Sequence, residues 1–311
     1  MRILIVARAN KYSNELSPFV IEQAESLCSF ENEIEYFKIS GKGWRSYLIH
    51  IFKLRRYLSQ QKFDIIHAHY VWSAIVAVSQ RFVPVVATFH GSDLNRLESR
   101  IISNVIVYPL ASRCIVVNEK MRKYILSKKT VCIPCGVDIE LFKPVEKNFA
   151  RNTLNMKSDI HYILFCSSFN RKEKNAELAK KAVSLLKNRN VILIEFKGYT
   201  RDQAVLLFSA VDLLLMTSLY EGSPQVIKEA MACNCPIVST DVGDVKYVIG
   251  ETANCYICNY DPFEIASRID LLLSNQFRTD GRERIIKLGL TIDIIANKIN
   301  NIYEQITLTN G

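Results

Sequence analysis

Two Rossmann-like α/β domains, each built on a doubly wound parallel sheet and facing its neighbour across a central cleft, are the fold predicted by this sequence of 311 residues. Three observations predict it. Short apolar runs alternate with amphipathic helical stretches along the chain, the pattern of parallel strands joined by crossover helices. The alternation lapses once, at 134–150, where two prolines and a glycine fall. Beyond that lapse, the apolar run 211–216 (VDLLLM) leads through a Gly-bearing loop into a helix and then the strand-like 236–240 (PIVST).

The elements follow in order. Residues 3–7 are an uninterrupted apolar run and read as a buried strand. A helix is expected over 18–27, with Ser17 as its N-cap and Pro18 in its first turn. Residues 34–39 (IEYFKI) alternate as a strand does. Residues 44–58 form a basic amphipathic helix. Strands are then expected from 64–67, at 85–89, 114–117 and 131–133, with helices at 71–80, 101–108 and 119–126 between them. The first domain is placed at 1–140, an interdomain linker at 141–150 and the second domain at 151–291. Its strands are expected at 162–166, 191–196, 211–216 and 236–240. Its helices are expected at 175–186, 201–208, 262–273 and 282–288, besides the one opening near Pro224, and a last amphipathic helix covers 292–306.

No run of eighteen or more uncharged apolar residues exists, so no helical membrane span is expected. The opening MRILIVARAN is too short an apolar run, without a small-residue cleavage site, for a signal peptide. The expected location is therefore cytoplasmic, with peripheral contact on the inner membrane face as the alternative to a purely aqueous one. The net charge of +9 is uneven: residues 1–150 hold 21 Lys and Arg against 13 Asp and Glu, and the remainder 19 against 18. A basic first half suits an anionic partner. Within it, Arg45, Lys53, Arg55 and Arg56 lie among Tyr47, Leu48, Ile51, Phe52 and Leu54, which suits an anionic membrane surface as well as an ordinary half-buried helix. Nucleic acid is not expected, since no aromatic or helix-turn-helix pattern accompanies the basic residues. Cys132/Cys135 and Cys255/Cys258 have zinc-like spacing, but both pairs sit in strand-like sequence. All nine cysteines, Cys28 included, are expected as small core residues.

The chemistry concentrates at 219–242. Glu221 and Glu229 are carboxylates eight positions apart, with Gly222, Ser223 and Pro224 between them as a helix start. Ser223 is placed as N-cap and Pro224 as first helical residue. Free N–H groups and the positive helix end make an anion site there. Carboxylates beside such a site suit hydroxyls, so the segment suggests a sugar nucleotide. The plainer reading is a pair of surface acids. His90 in FHGSD and the RKEK run at 171–174 have plain readings too, as a strand-end residue and a solvated charged face. His67 and His69 alternate as strand residues, with His69 at the strand's C-terminal edge.

These segments resemble the family-4 retaining glycosyltransferases of GT-B fold. The resemblance is carried by Glu221-(x)7-Glu229, by IPCGVDIELFKP at 133–144, by FHGSD at 89–93 with VVNEKMRKYI at 116–125, and by FNRKEKN at 169–175. It is nearest in kind to bacterial capsule, teichuronic-acid and exopolysaccharide transferases. The resemblance implies a UDP- or GDP-sugar donor as co-substrate with no further cofactor, a glycan or lipid-linked oligosaccharide acceptor, and a metal-independent front-face reaction; no Asp-x-Asp pattern is present. It assigns Glu229 to the ribose hydroxyls and Glu221 to the donor sugar. Gly222, Ser223, Pro224, Gln225 and Val226 form the helix start facing the sugar or diphosphate. Arg171 and Lys174 neutralise the leaving diphosphate, and His90 orients the sugar. It also implies that the last helix, 292–308, packs back on the first domain. The chain departs from the family in three places: Ser167-Ser168-Phe169 replaces the usual Gly-Arg-Leu, Cys135 replaces the linker asparagine, and no glycine follows the first strand. In that glycine-free loop Asn10, Ser13 or Asn14 is the expected contact, with Asn14 and His69 on the acceptor side. A sugar-nucleotide epimerase of the same fold and a non-catalytic sugar-nucleotide-binding protein are the alternatives.

Overall fold

The structure is a computed structural model that describes residues 1–10, 14–41, 43–94, 96–125, 128–187, 190–275 and 277–310. Ser13 and Leu126 lie outside the described residues. The chain divides into two compact units: Met1–Gly136 with Ile292–Gly311, and Val137–Thr291.

The first unit holds six strands: β1 (Arg2–Arg8), β2 (Glu33–Ile39), β3 (Ile65–His69), β4 (Val85–Phe89), β5 (Arg113–Val116) and β6 (Thr130–Cys132). They form one sheet in the order β2-β1-β3-β4-β5-β6, with every pairing parallel. Ile3, Leu4, Ile5, Val6, Ile65 and Ile66 have no exposed surface, as a parallel sheet covered on both faces requires. On one face the helix Ile292–Asn310 sets Ile295, Ile299, Tyr303 and Ile306 against Ile3, Ile5 and Ile65.

The second unit holds β7 (His161–Phe165), β8 (Val191–Glu195), β9 (Leu213–Met216), β10 (Ile237–Thr240) and β11 (Cys255–Cys258), again all parallel, in the order β11-β10-β9-β7-β8. Counted within each unit, the first sheet runs 2-1-3-4-5-6 and the second 2-1-3-4-5. The sheet order therefore switches between β1 and β3 in one unit and between β7 and β9 in the other. Ligands of open α/β sheets sit beyond the carboxyl ends of the strands at such a switch.

Several elements differ from expectation. Residues 141–150 are not a free connector: Phe142 is fully buried in the second core, and Lys147–Thr153 is a helix. Its start is marked by Glu146, whose carboxylate accepts from the N–H groups of Asn148 and Phe149. The single helix expected at 101–108 is three pieces, Leu97–Ile102, a widened π turn at Ser103–Val107 and Tyr108–Leu110. Pro109 has no N–H to continue the α ladder. Residues 119–124 form a 3₁₀ helix rather than an α-helix, with the Asn118 side chain accepting from Met121 N–H. Cys28 is exposed rather than buried; all nine cysteines are free thiols. Among the described residues, no three His, Cys, Asp or Glu side chains gather to hold a metal ion, and no helix is long and apolar enough to cross a membrane.

Candidate functional site

In the second unit the loops beyond β7 and β9 meet at the switch point. Thr217 Oγ1 donates to the carbonyls of Lys174 and Asn175, and Leu219 N–H donates to the carbonyl of Glu173. Asn175 adopts φ +55°, a left-handed turn that asparagine tolerates. These bonds bring Lys174 and Glu221, 47 residues apart, into an ion pair at 2.5 Å, and Ser218 Oγ donates to the same Glu221 oxygen at 2.8 Å. Both side chains are largely buried. A charged pair so shielded is held in one geometry and interacts strongly with any further charge brought beside it.

Glu229 lies eight residues further on, just over one turn into the helix Gln225–Ala232, and is almost fully buried. Its carboxylate accepts from Arg201 Nη1 at 2.8 Å. Arg201 opens the helix Arg201–Ala210 behind a capping box of Thr200 and Gln203, and its guanidinium lies 4.6 Å from the centre of the Phe142 ring. Arg201 is a residue that motif reading misses. The available signal is its place at a helix start just after β8, on the same sheet edge as the loops of β7 and β9. Arg171 is not drawn into the cluster; it is exposed and pairs with Glu173 at 2.7 Å.

The helix start differs from expectation by one residue. Pro224 is the N-cap and makes no side-chain capping bond, and the helix begins at Gln225. Ser223 does not cap: its hydroxyl donates to Asp244 Oδ2 at 2.5 Å, and Lys228 Nζ donates to the same hydroxyl oxygen. A cap would use the hydroxyl oxygen as an acceptor; here that oxygen accepts from the Lys228 ammonium while its proton goes to the Asp244 carboxylate, and both are charge-assisted bonds. Gly222 sits beneath Gly243, where φ is +60° and an added Cβ would lie 2.4 Å from the Gly222 carbonyl oxygen. Gln225 and Val226 form the first turn of the helix.

In the first unit the switch point is lined by neutral rings. His67 Nδ1 shares a 2.5 Å hydrogen bond with the Tyr303 hydroxyl, and its Nε2 shares one with Thr88 Oγ1 at 2.7 Å. His69 Nδ1 lies 3.0 Å from His90 Nε2, and His90 Nδ1 lies 3.9 Å from Cys135 Sγ. Burial pushes the His69 imidazole down to about 3, and burial together with neighbouring imidazoles holds His67 and His90 well below the ordinary histidine range. Asp93 fixes the His90 loop by accepting from the N–H groups of His90 and Val71. Burial raises its carboxyl to about 6 against those bonds. Tyr70, between His69 and the helix Val71–Val78, adopts φ +72°, an uncommon conformation for a bulky residue and one that concentrates at functional sites. Its ring lies 4.7 Å from that of His90, and Phe19 lies 4.9 Å away on an edge. Asn14, at φ +55°, donates its N–H to the Asn10 carbonyl.

Two family matches cover the chain in tandem: residues 21–141 match Glycosyltransferase Family 4, and residues 145–289 match Glycosyl transferases group 1. The chain is 25% identical over 228 residues to the teichuronic acid biosynthesis glycosyltransferase TuaC of Bacillus subtilis, covering 60% of this chain and 56% of that protein. It is 24% identical over 268 residues to D-inositol 3-phosphate glycosyltransferase of Mycobacterium marinum, covering 70% of this chain and 57% of that one. The chain thus spans little more than half the length of these curated relatives. In structure it is similar to sucrose-phosphate synthase from Thermosynechococcus elongatus, with a TM-score of 0.83 at 19% identity over 99% of each chain. It is also similar to HepE of Anabaena in complex with UDP-glucose, with a TM-score of 0.70 at 16% identity over 99% of each. At these identities the structural likeness speaks for the GT-B fold alone. Residues 21–141 thus belong to Glycosyltransferase Family 4 and residues 145–289 to Glycosyl transferases group 1, the two domains following one another along the chain.

Proposed function

We propose that the chain is a retaining glycosyltransferase that moves a sugar from a UDP- or GDP-sugar to a hydroxyl of a glycan or lipid-linked acceptor in the synthesis of a cell-surface polysaccharide. The observation that carries this reading is the shielded Lys174–Glu221 pair at the switch point of the second sheet, with Glu229 in the helix that follows. HepE, solved with UDP-glucose, supports a nucleotide-sugar donor.

In this reading Glu221 accepts from hydroxyls of the donor sugar and Glu229 from the ribose, with Arg201 aiming the Glu229 carboxylate. Lys174 stands beside the leaving diphosphate. Positive charge already in place there counts most in the transition state, when the bond to the diphosphate breaks. Arg171 adds to it by exchanging Glu173 for phosphate. The acceptor hydroxyl attacks the anomeric carbon from the face the diphosphate leaves, its proton passes to a phosphate oxygen, and the anomeric configuration is retained. No metal or further cofactor enters, because lysine and arginine supply the charge a divalent ion would supply. His90 serves the sugar through Nδ1, whose contact to the Cys135 sulfur is long and readily exchanged for a hydroxyl. His69 and Asn14 lie on the acceptor side.

The test is a thermal-shift panel of UDP, GDP, ADP and their common sugars on the wild type and Glu229→Ala. One nucleotide series raising Tm by mass action, with the shift lost in the variant, is expected. No shift with any nucleotide overturns the reading, and donor turnover without acceptor moves it to an epimerase.

A second reading concerns the helix Gly43–Gln60. It has no acidic residue, and its outward face carries Trp44 and Phe52, 62% and 73% exposed, beside Leu48, Ile49, Arg45, Lys53, Arg55 and Arg56. An apolar and basic face of this kind fits an anionic membrane, where a lipid-linked acceptor resides. Cosedimentation with anionic but not neutral vesicles is expected, and equal partition between the two removes the membrane from the account.

A further inference from the structure

Lys228 is the most deeply buried charge in the second unit that the proposed chemistry leaves without a task. It sits in the helix that carries Glu229, yet its side chain has no exposed surface. Its Nζ reaches two acceptors, Ser223 Oγ and, at 3.4 Å, Asp244 Oδ2. Asp244 follows β10, is 7% exposed, and has its second oxygen, Oδ1, buried without a hydrogen-bond partner among the described residues. Just before it, the Gly243 backbone lies directly on that of Glu221 and Gly222, so close that no side chain fits between them. The ion pair therefore ties the helix interior and the loop after β10 to the segment Glu221–Ser223.

Such a pair is a poor way to gain stability. Removing two charges from water costs several kcal/mol per ion, and apolar residues of the same volume commonly do as well or better. What a buried pair provides is a single geometry. The Ser223 hydroxyl is caught between the two charges, donating to Asp244 and accepting from Lys228, so only one setting of the loop satisfies all three groups. A loop locked in that way presents Glu221 and the backbone of the helix start with less entropy lost when a ligand arrives.

We propose that Lys228 and Asp244 are positioning residues of the donor site: they hold Ser223, and through it the Glu221–Gln225 segment, in the setting that receives the nucleotide sugar. This rests on the donor-site reading for its ligand but not for its mechanics. The Ser223 hydroxyl gives its one proton to Asp244 and accepts from Lys228, so in this proposal the backbone of the residue, not its side chain, serves the donor.

The test compares wild type, Lys228→Met and the double variant Lys228→Met/Asp244→Asn, which removes both charges and so leaves neither buried alone. Amide hydrogen exchange without ligand reads the mechanics. Exchange at 221–226 is expected to rise at least tenfold in both variants, while the strands of the same unit stay protected. Titration with UDP and UDP-glucose, and with GDP as a control, reads the consequence. Donor affinity is expected to fall roughly ten- to a hundredfold in both variants, the scale of a small misplacement in a site, although the double variant regains most of the Tm that the single variant loses. Unchanged exchange at 221–226, or a double variant that binds donor as the wild type does, overturns the proposal and leaves the pair a folding element. Faster exchange in a protein whose wild type binds none of the probes keeps the latch and overturns the donor-site reading instead.

Discussion

The two units share the strand order 2-1-3-4-5, which the first extends by a sixth strand, and place their candidate residues at the same topological point, yet they furnish it with opposite electrostatics. In the first unit the switch point is lined by His69, Tyr70 and His90, with His67 beneath, and burial keeps the imidazoles uncharged. In the second it is lined by full charges in pairs, Lys174 with Glu221, Arg201 with Glu229 and Lys228 with Asp244. A neutral, ring-walled edge suits hydroxyl-bearing and apolar ligand surfaces. An edge of preset ion pairs suits a ligand that carries charge and releases more of it. The topology supplies a location, and the side chains decide what is done there.

The contrast extends to what holds each unit together, and the largest effect is expected where the ion pairs are structural. Asp212, 6% exposed, joins Lys147 at 2.6 Å, Arg151 at 3.0 Å and the N–H of Tyr162, and these partners hold it ionised well into acid despite its burial. Asp212→Asn leaves Arg151 buried without its counter-charge. The second unit is expected to lose about 3–5 kcal/mol, measured by urea unfolding with probes in each unit, while the first keeps its midpoint. Equal losses in both units would break the comparison.

Acidification should do the reverse. The three imidazoles stay neutral in the folded chain but take up protons when unfolded below about pH 6.5. The unfolded state then binds more protons, so stability is lost as the pH is lowered, by about 1.4 kcal/mol per pH unit for each imidazole, through the range from 6.5 towards the value of about 3 for His69. Asp93 runs the other way: with its folded carboxyl near 6, its contribution recovers as pH falls from 6 towards 3.8. Three groups against one leave a net loss in the first unit. A unit-resolved melt between pH 7 and 5 checks it, and an unchanged first-unit Tm would count against buried neutral histidines. The smallest effect is expected at Asn118, whose side chain caps the turn at Met121. Asn118→Ala should cost the first unit about 0.5–2 kcal/mol in the same assay and leave the second untouched.

The strands were legible because a buried parallel strand needs little but apolar side chains, as in Val211–Met216 and Ile3–Ala7. Glu221 and Glu229 were legible because they sit on one short segment with its turn residues. What escaped was whatever tertiary pairing decides. Arg201 lies 28 residues from Glu229, and nothing local marks it. Ser223 has the residue type of a cap, but the carboxylate that claims it stands 21 residues away beyond another strand. The helix at Lys147–Thr153 was hidden by its proline-bearing neighbourhood, and only Phe142 in the core shows why the segment is held. Near Pro109 the apolar pattern spoke for a continuous helix, and the missing N–H overruled it.

The helix Ile292–Asn310 has a consequence for the order in which the chain can mature. Tyr303 bonds His67 across 236 residues and Asn300 accepts from Asn32 across 268, so the first sheet obtains one of its covering layers from a segment made after the whole of the second unit. The second unit, continuous from Val137 to Thr291, has all its partners to hand once that stretch has left the ribosome. The sheet translated before the second unit is thus covered only after it, and Ile3, Ile5 and Ile65 stay uncovered on that face throughout synthesis of the other unit.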